Sequence, residues 1–188
     1  TVETKCFLIK SFPGISLNLI FIILSVKFKK IVLNLYFCKM KTIDSLKLSG
    51  KRVLIRVDFN VPLNKDLSVA DDSRIKAAIP TIKKVINSGG VAIILSHLGR
   101  PKGRVNNSFS LKHIVTCLSK HINSSVLFVE DCIGEETLTI IKNNRSQNVI
   151  LLENLRFYKQ EEAGDEWFAR ELAKLGDVYI NDAYWNSL

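Results

Sequence analysis

Residues 91–103 read Val-Ala-Ile-Ile-Leu-Ser-His-Leu-Gly-Arg-Pro-Lys-Gly, five apolar side chains followed at once by polar, basic and turn-forming ones. A short unbroken apolar run bounded by glycines is the mark of a strand covered on both faces, as in a parallel sheet. The glycine pair Gly89-Gly90 ends whatever precedes it, and Gly99 and Gly103 flank a turn after it. The reading that follows is strand, then a polar loop at the strand's carboxyl end.

The same unit recurs on either side. Val53–Val57 is a β-branched run after Gly50, Val126–Val129 and Val149–Leu152 are further strands, and Val178–Ile180 is a last short one. Between them, Ile75, Ala78, Ile79, Ile82, Val85 and Ile86 recur at helical spacing, with Asp71-Asp72-Ser73 as the expected cap and Pro80 as an expected kink. Helices are also expected over 111–121, 135–143 and 165–174. Five strands alternating with helices predict an α/β fold: a Rossmann-like, mainly parallel sheet with right-handed crossovers and helices on both faces.

In such sheets ligands bind beyond the carboxyl ends of the strands. Arg56-Val57-Asp58-Phe59-Asn60 follows the first strand, Ser96-His97-Leu98-Gly99-Arg100 the second, Glu153-Asn154-Leu155-Arg156 the fourth and Asn181-Asp182 the fifth. Arg74, Arg100 and Arg156 with His97 would converge on one rim, where guanidinium forks grip a phosphate or carboxylate bidentately. Arg74 stands in a first helical turn, where the helix dipole disfavours a cation, so an anion there would explain it. Each residue also has a structural alternative. Asp71-Asp72-Ser73 caps a helix whatever the chemistry, a lone His97 would be structural, and Arg156 has Glu153 or Glu161 to pair with.

Composition sets outer limits. The 188 residues carry a formal net charge of +9, and 1–40 hold six lysines against the single acid Glu3. The remainder is only mildly basic, which suits a small anion but equally a loose nucleic-acid or membrane association, so charge alone decides nothing. No interleaved aromatic and basic residues mark a single-strand binder. Cys6, Cys38, Cys117 and Cys132 show no CxxC spacing and no histidine at metal-ligand distance, so reduced thiols and no metal site are expected. Residues 1–39 lack Ala, Arg, Asp, Gln, His and Trp altogether. They read as a leader of doubtful status outside the fold, translated upstream sequence before anchor or signal, because the apolar run Ile15–Val26 is too short to span a bilayer. The domain proper is taken as 40–188.

The blocks RVDFNVPL, DDSRI, SHLGRPKG, LLENLRF and YINDAY stand in the order and rough spacing of phosphoglycerate kinases, and the chain from Met40 to Tyr184 resembles the N-terminal half of that two-domain family. The resemblance implies reversible phosphoryl transfer between 1,3-bisphosphoglycerate and ADP, giving 3-phosphoglycerate and ATP, in a cytoplasmic, usually monomeric glycolytic enzyme. By motif, Asp58, Phe59 and Asn60 would contact the glycerate end and Arg74 would stand near the transferring phosphoryl group as the catalytic cation. His97, Arg100 and Arg156 would hold the other phosphate, with the Leu98-Gly99 backbone alongside.

The family's next segment, of Gly-Thr-Ala-His-Arg type, has no counterpart before Leu188, and no GxxxxGK[ST] or GxGxxG occurs. The Mg-ATP or Mg-ADP site is therefore expected to lie outside these residues, leaving an incomplete domain inactive alone. The alternative is a non-catalytic anion- or partner-binding α/β module left after gene decay. No nucleic-acid partner and no membrane attachment are expected.

Overall fold

The computed structural model describes residues 8–11, 43–144 and 146–183. Among these residues six strands form one sheet: β1 (Leu8–Ser11), β2 (Arg52–Arg56), β3 (Val91–Leu95), β4 (Leu127–Val129), β5 (Val149–Leu152) and β6 (Val178–Asn181), in the order β1-β6-β2-β3-β5-β4. All neighbours from β6 to β4 run parallel. The helices are α1 (Ser73–Asn87), α2 (Val115–Ile122), α3 (Glu135–Asn143), α4 (Lys159–Ala163) and α5 (Glu166–Ala173).

Strand order decides which face each helix covers. From β2 through β3 to β4 the chain steps one way across the sheet; from β4 through β5 to β6 it steps back past β2. Right-handed crossovers taken in opposite directions place their helices on opposite faces. Accordingly α1 and α2 bury Ile75, Ile82, Val85 and Leu118 on one face, while α3 and α5 bury Ile141, Phe168 and Leu172 on the other. Strand residues alternate between the two cores: Val53, Ile55, Ala92, Ile94, Val149 and Leu151 meet α1 and α2, and Leu54, Ile93, Ile150 and Leu152 meet α3 and α5. That two-sided burial is why these runs are apolar throughout.

Local expectations are met with differences that have physical reasons. Pro80 does not interrupt α1. It lies on the exposed face, where solvent can satisfy the carbonyl its missing N–H leaves unpaired. The expected cap is corrected: Asp72 occupies the N-cap position but its side chain makes no cap bond. Asp71 Oδ1 accepts from Ser73 N at 2.9 Å, and Asp72 turns its carboxylate to Lys76 and His121. The helix expected over 111–121 starts as a 3-10 turn, Leu111–Ile114, with Ser110 Oγ accepting from Lys112 N at 3.2 Å.

The leader is not wholly apart from the fold. β1 lies within it and pairs antiparallel with β6, Leu8 opposite Asn181. β6 would otherwise present an open edge of unpaired backbone groups, which an extended segment can satisfy. At the amino ends of the strands, Arg52 binds Asp177 as a fork, Nη2 to Oδ1 at 2.9 Å and Nε to Oδ2 at 3.3 Å, joining the starts of β2 and β6. That guanidinium holds the Asp177 carboxyl below its usual range. Among the described residues no helix is long and apolar enough to cross a membrane.

Candidate functional site

The polar loops after β2, β3 and β5 meet at the carboxyl edge of the sheet, held from beneath by buried side chains. Ser96, fully buried, accepts from Phe59 N at 2.9 Å and donates to Val57 O at 2.9 Å, joining the loop after β3 to the loop after β2. Asn154, also fully buried, donates to Leu98 O and Phe109 O, each at 2.8 Å, and accepts from Arg156 N at 3.0 Å. Glu153 takes Ser110 Oγ at 2.7 Å and Leu111 N at 2.9 Å. A buried polar group without a partner costs about 1–3 kcal/mol, so these bonds fix the loops' relative positions.

On this base stand the predicted residues. Asp58 pairs with Arg74 Nη1, reaching from β2's loop to the first turn of α1, and accepts from Asn60 N at 3.1 Å. Asn60 Oδ1 accepts from Gly99 N at 2.8 Å, and Gly99 O accepts from Arg156 Nη1 at 3.2 Å. Gly99 has φ +63°, and a Cβ there would run into the Phe109 ring, so both the turn and the packing require glycine. Arg156 O accepts from Gly103 N at 3.2 Å, tying down the far end of the same loop.

His97 sits within this group, its Nδ1 3.5 Å from Arg56 Nη2. Burial, followed by the positive charges of Arg56, Arg156 and Arg74, lowers its pKa from 6.5 to about 3. The imidazole is therefore neutral at physiological pH; Nδ1 faces the Arg56 guanidinium, which can only donate, so Nε2 carries the proton. Such a field favours an anion: a bound phosphate would relieve the mutual repulsion of the guanidiniums and accept their N–H groups.

Not every expected residue reaches the rim surface. Phe59 is wholly buried in the core and its N–H is taken by Ser96, so it shapes the site from below. Leu98 is a core side chain as well, and the Gly99 N–H is already bonded to Asn60. Arg100 is exposed and is not among the charges acting on His97.

Arg56 and Asn154 stand among the strand-end residues without a role in the sequence reading, and Glu161 enters it only as a partner for Arg156. Arg56, the last residue of β2, binds Glu161 Oε1 at 2.7 Å. Glu161 also places Oε2 3.5 Å from Arg156 Nε, which is buried and makes no hydrogen bond among the described residues. The pairing of Arg156 with Glu161 was one of two offered above; Glu153 is occupied elsewhere. The available signal for Arg56 was a lone cation inside an apolar strand. Asn154 gave none, because a buried amide that joins two loops has no sequence spacing of its own.

Comparison with known proteins gives this arrangement its relatives. The family model described as Phosphoglycerate kinase matches residues 43–187. A phosphoglycerate kinase of Syntrophobacter fumaroxidans is 54% identical over 145 residues, covering 77% of this chain and 36% of the relative. One from a Hydrogenobaculum strain is 50% identical over 144 residues, with coverage of 77% and 36%. Among solved structures, phosphoglycerate kinase from Coxiella burnetii matches with a TM-score of 0.64 at 37% identity, covering 74% of this chain and 34% of that one. The enzyme from Pyrococcus horikoshii matches with a TM-score of 0.65 at 32% identity, covering 74% and 36%. The chain thus spans about a third of the length of the curated relatives it matches. By sequence and fold together, this chain belongs to the phosphoglycerate kinase family.

Proposed function

We propose that the rim at the carboxyl ends of β2, β3 and β5 binds 3-phosphoglycerate or 1,3-bisphosphoglycerate, and that the whole protein passes a phosphoryl group between the latter and ADP. The observation that carries this reading is the convergence of the Arg56, Arg74 and Arg156 charges on a neutral, largely buried His97. Phosphoryl transfer asks a protein chiefly for positioning and for neutralising charge on the moving group, and needs no covalent nucleophile.

In this reading Arg56, His97 and Arg156 hold the phosphate that stays, and exposed Arg100 closes on it. Asp58 and Asn60 orient the glycerate end. Arg74, freed from Asp58 by the ligand, stabilises the transferring group. Phe59, Leu98 and Gly99 supply the wall and floor. The rim is not itself a seat for Mg²⁺, which takes hard oxygen ligands, since its carboxylate Asp58 is paired with Arg74. The Mg-nucleotide would be held by parts of the protein outside these residues. A glycolytic, cytoplasmic setting and a monomeric state go with the same reading.

The test is a titration of the isotope-labelled 188-residue chain followed by NMR. 3-Phosphoglycerate should shift signals around Arg74, His97 and Arg156, ATP should leave them in place, and a coupled assay should show no turnover by these residues alone. An equal response to ATP, or none to phosphoglycerate in the folded chain, would overturn the proposal.

A further inference from the structure

A second cluster lies away from the rim, between α1 and α2. Cys117 and His121 are four residues apart on α2, so their side chains share one helix face. Asp72, at the start of α1, faces them. One ligand atom from each of the three, a carboxylate oxygen, a thiol sulfur and an imidazole nitrogen, all lie within 4.8 Å of one another. This corrects the sequence expectation that no cysteine has a histidine at ligand distance: the spacing is one helical turn, and the third partner comes from another helix.

The cluster is already oriented. His121 Nε2 is 2.7 Å from Asp72 Oδ2, while Lys76 Nζ holds the other carboxylate oxygen, Oδ1, at 2.8 Å. Asp72 therefore offers a single oxygen inward, its direction set by a neighbour on its own helix, as outer-shell partners do for metal-bound carboxylates. All three residues are half-buried, which leaves an entrance for an ion.

We propose that Asp72, Cys117 and His121 form a binding site for a borderline-soft divalent cation, Zn²⁺ by preference, with water completing a tetrahedron. The donor set selects the ion. Magnesium and calcium demand oxygen ligands, whereas zinc accepts sulfur, nitrogen and oxygen together at about 2.0–2.3 Å. Bonds of that length place tetrahedral ligands roughly 3–4 Å apart, which small side-chain rotations reach from the present arrangement. Lys76 and Lys120 also face the group and oppose the incoming charge, so the affinity falls below that of closed four-ligand structural sites. Asp72 is two residues from Arg74 on the same first turn. An ion joining Asp72 to α2 would therefore also brace the turn that carries Arg74 of the rim.

The experiment uses the full reduced chain titrated with Co²⁺, whose thiolate charge-transfer band and tetrahedral visible bands report the ligands directly. One equivalent should bind with both signatures and be displaced by Zn²⁺. Cys117→Ser should lose the thiolate band, and His121→Ala should weaken Zn²⁺ at least about tenfold. Zn²⁺ should raise the melting temperature of the natural chain and leave that of folded Cys117→Ser unchanged. No Co²⁺ binding by the natural chain, or a thiolate band that survives in folded Cys117→Ser and so arises from another cysteine, would overturn the proposal.

Discussion

Glu161 lies against Arg56, its Oε1 accepting from Arg56 Nη2 at 2.7 Å, and its second oxygen faces Arg156. A carboxylate on the chain itself thus sits on two cations that the proposed ligand needs. Removing its charge should help the ligand, because an anion then meets no internal competitor. Glu161→Gln is expected to tighten 3-phosphoglycerate binding roughly fivefold, about the worth of one partly exposed ion pair. Titration calorimetry checks this. Weaker binding in the folded variant would mean that Glu161 positions the guanidiniums for the ligand.

His97 makes stability depend on pH. Its folded pKa is about 3 against an ordinary 6.5, so between those values the unfolded chain takes up a proton that the folded chain refuses. Stability from this source is complete above 6.5 and falls as the pH drops towards 3. Between pH 7 and pH 5 the loss should be about 1–2 kcal/mol, allowing for partial solvent screening. Urea denaturation of the natural chain and of His97→Asn at both pH values isolates this share. Equal losses in the two proteins would refute it.

Asn154 links three segments with one amide. Truncation to Ala strands the Leu98 and Phe109 carbonyls and the Arg156 N–H in the interior, at a cost of roughly 2–4 kcal/mol. The urea midpoint should fall, and amide exchange should quicken at Gly99 and Arg156 before the rest of the sheet. A loss under about 0.5 kcal/mol would show that the loops hold without it.

Gly99→Ala carries two separable penalties. Backbone with φ +63° costs an alanine about 1–2 kcal/mol, and the new methyl meets the Phe109 ring. Adding Phe109→Ala should relieve the second part and leave the first. A double-mutant cycle in urea therefore expects a favourable coupling between the two changes. Additive effects would mean that the ring moves aside freely.

Most of the sheet is legible in the sequence because each strand must be apolar on both faces. Val53–Val57 and Val91–Leu95 announce themselves by composition, and the two-core alternation of Leu54 with Ile55, or Ile93 with Ile94, follows from the pleat alone. The rim is legible in part, since topology puts His97, Asp58 and Arg156 at neighbouring strand ends. What sequence does not carry is partner choice at short range. Asp72 gives up capping for Lys76 and His121, Glu161 takes Arg56, and Asn154 finds two carbonyls from distant loops. The strand Leu8–Ser11 is hidden for a different reason: it is recruited by the open edge of β6, a property of the sheet and not of those four residues.

The ties beneath the rim and the contacts on top of it differ in kind. Ser96, Asn60 and Asn154 join the loops through uncharged hydrogen bonds, while Arg74 with Asp58 and Arg56 with Glu161 are half-buried ion pairs, the first the more open to solvent. Dissolved ions weaken the second kind far more than the first. Raising ionic strength should then act as a selective key, unlocking the arginines and loosening their hold on an anion while the framework that spaces them keeps its shape.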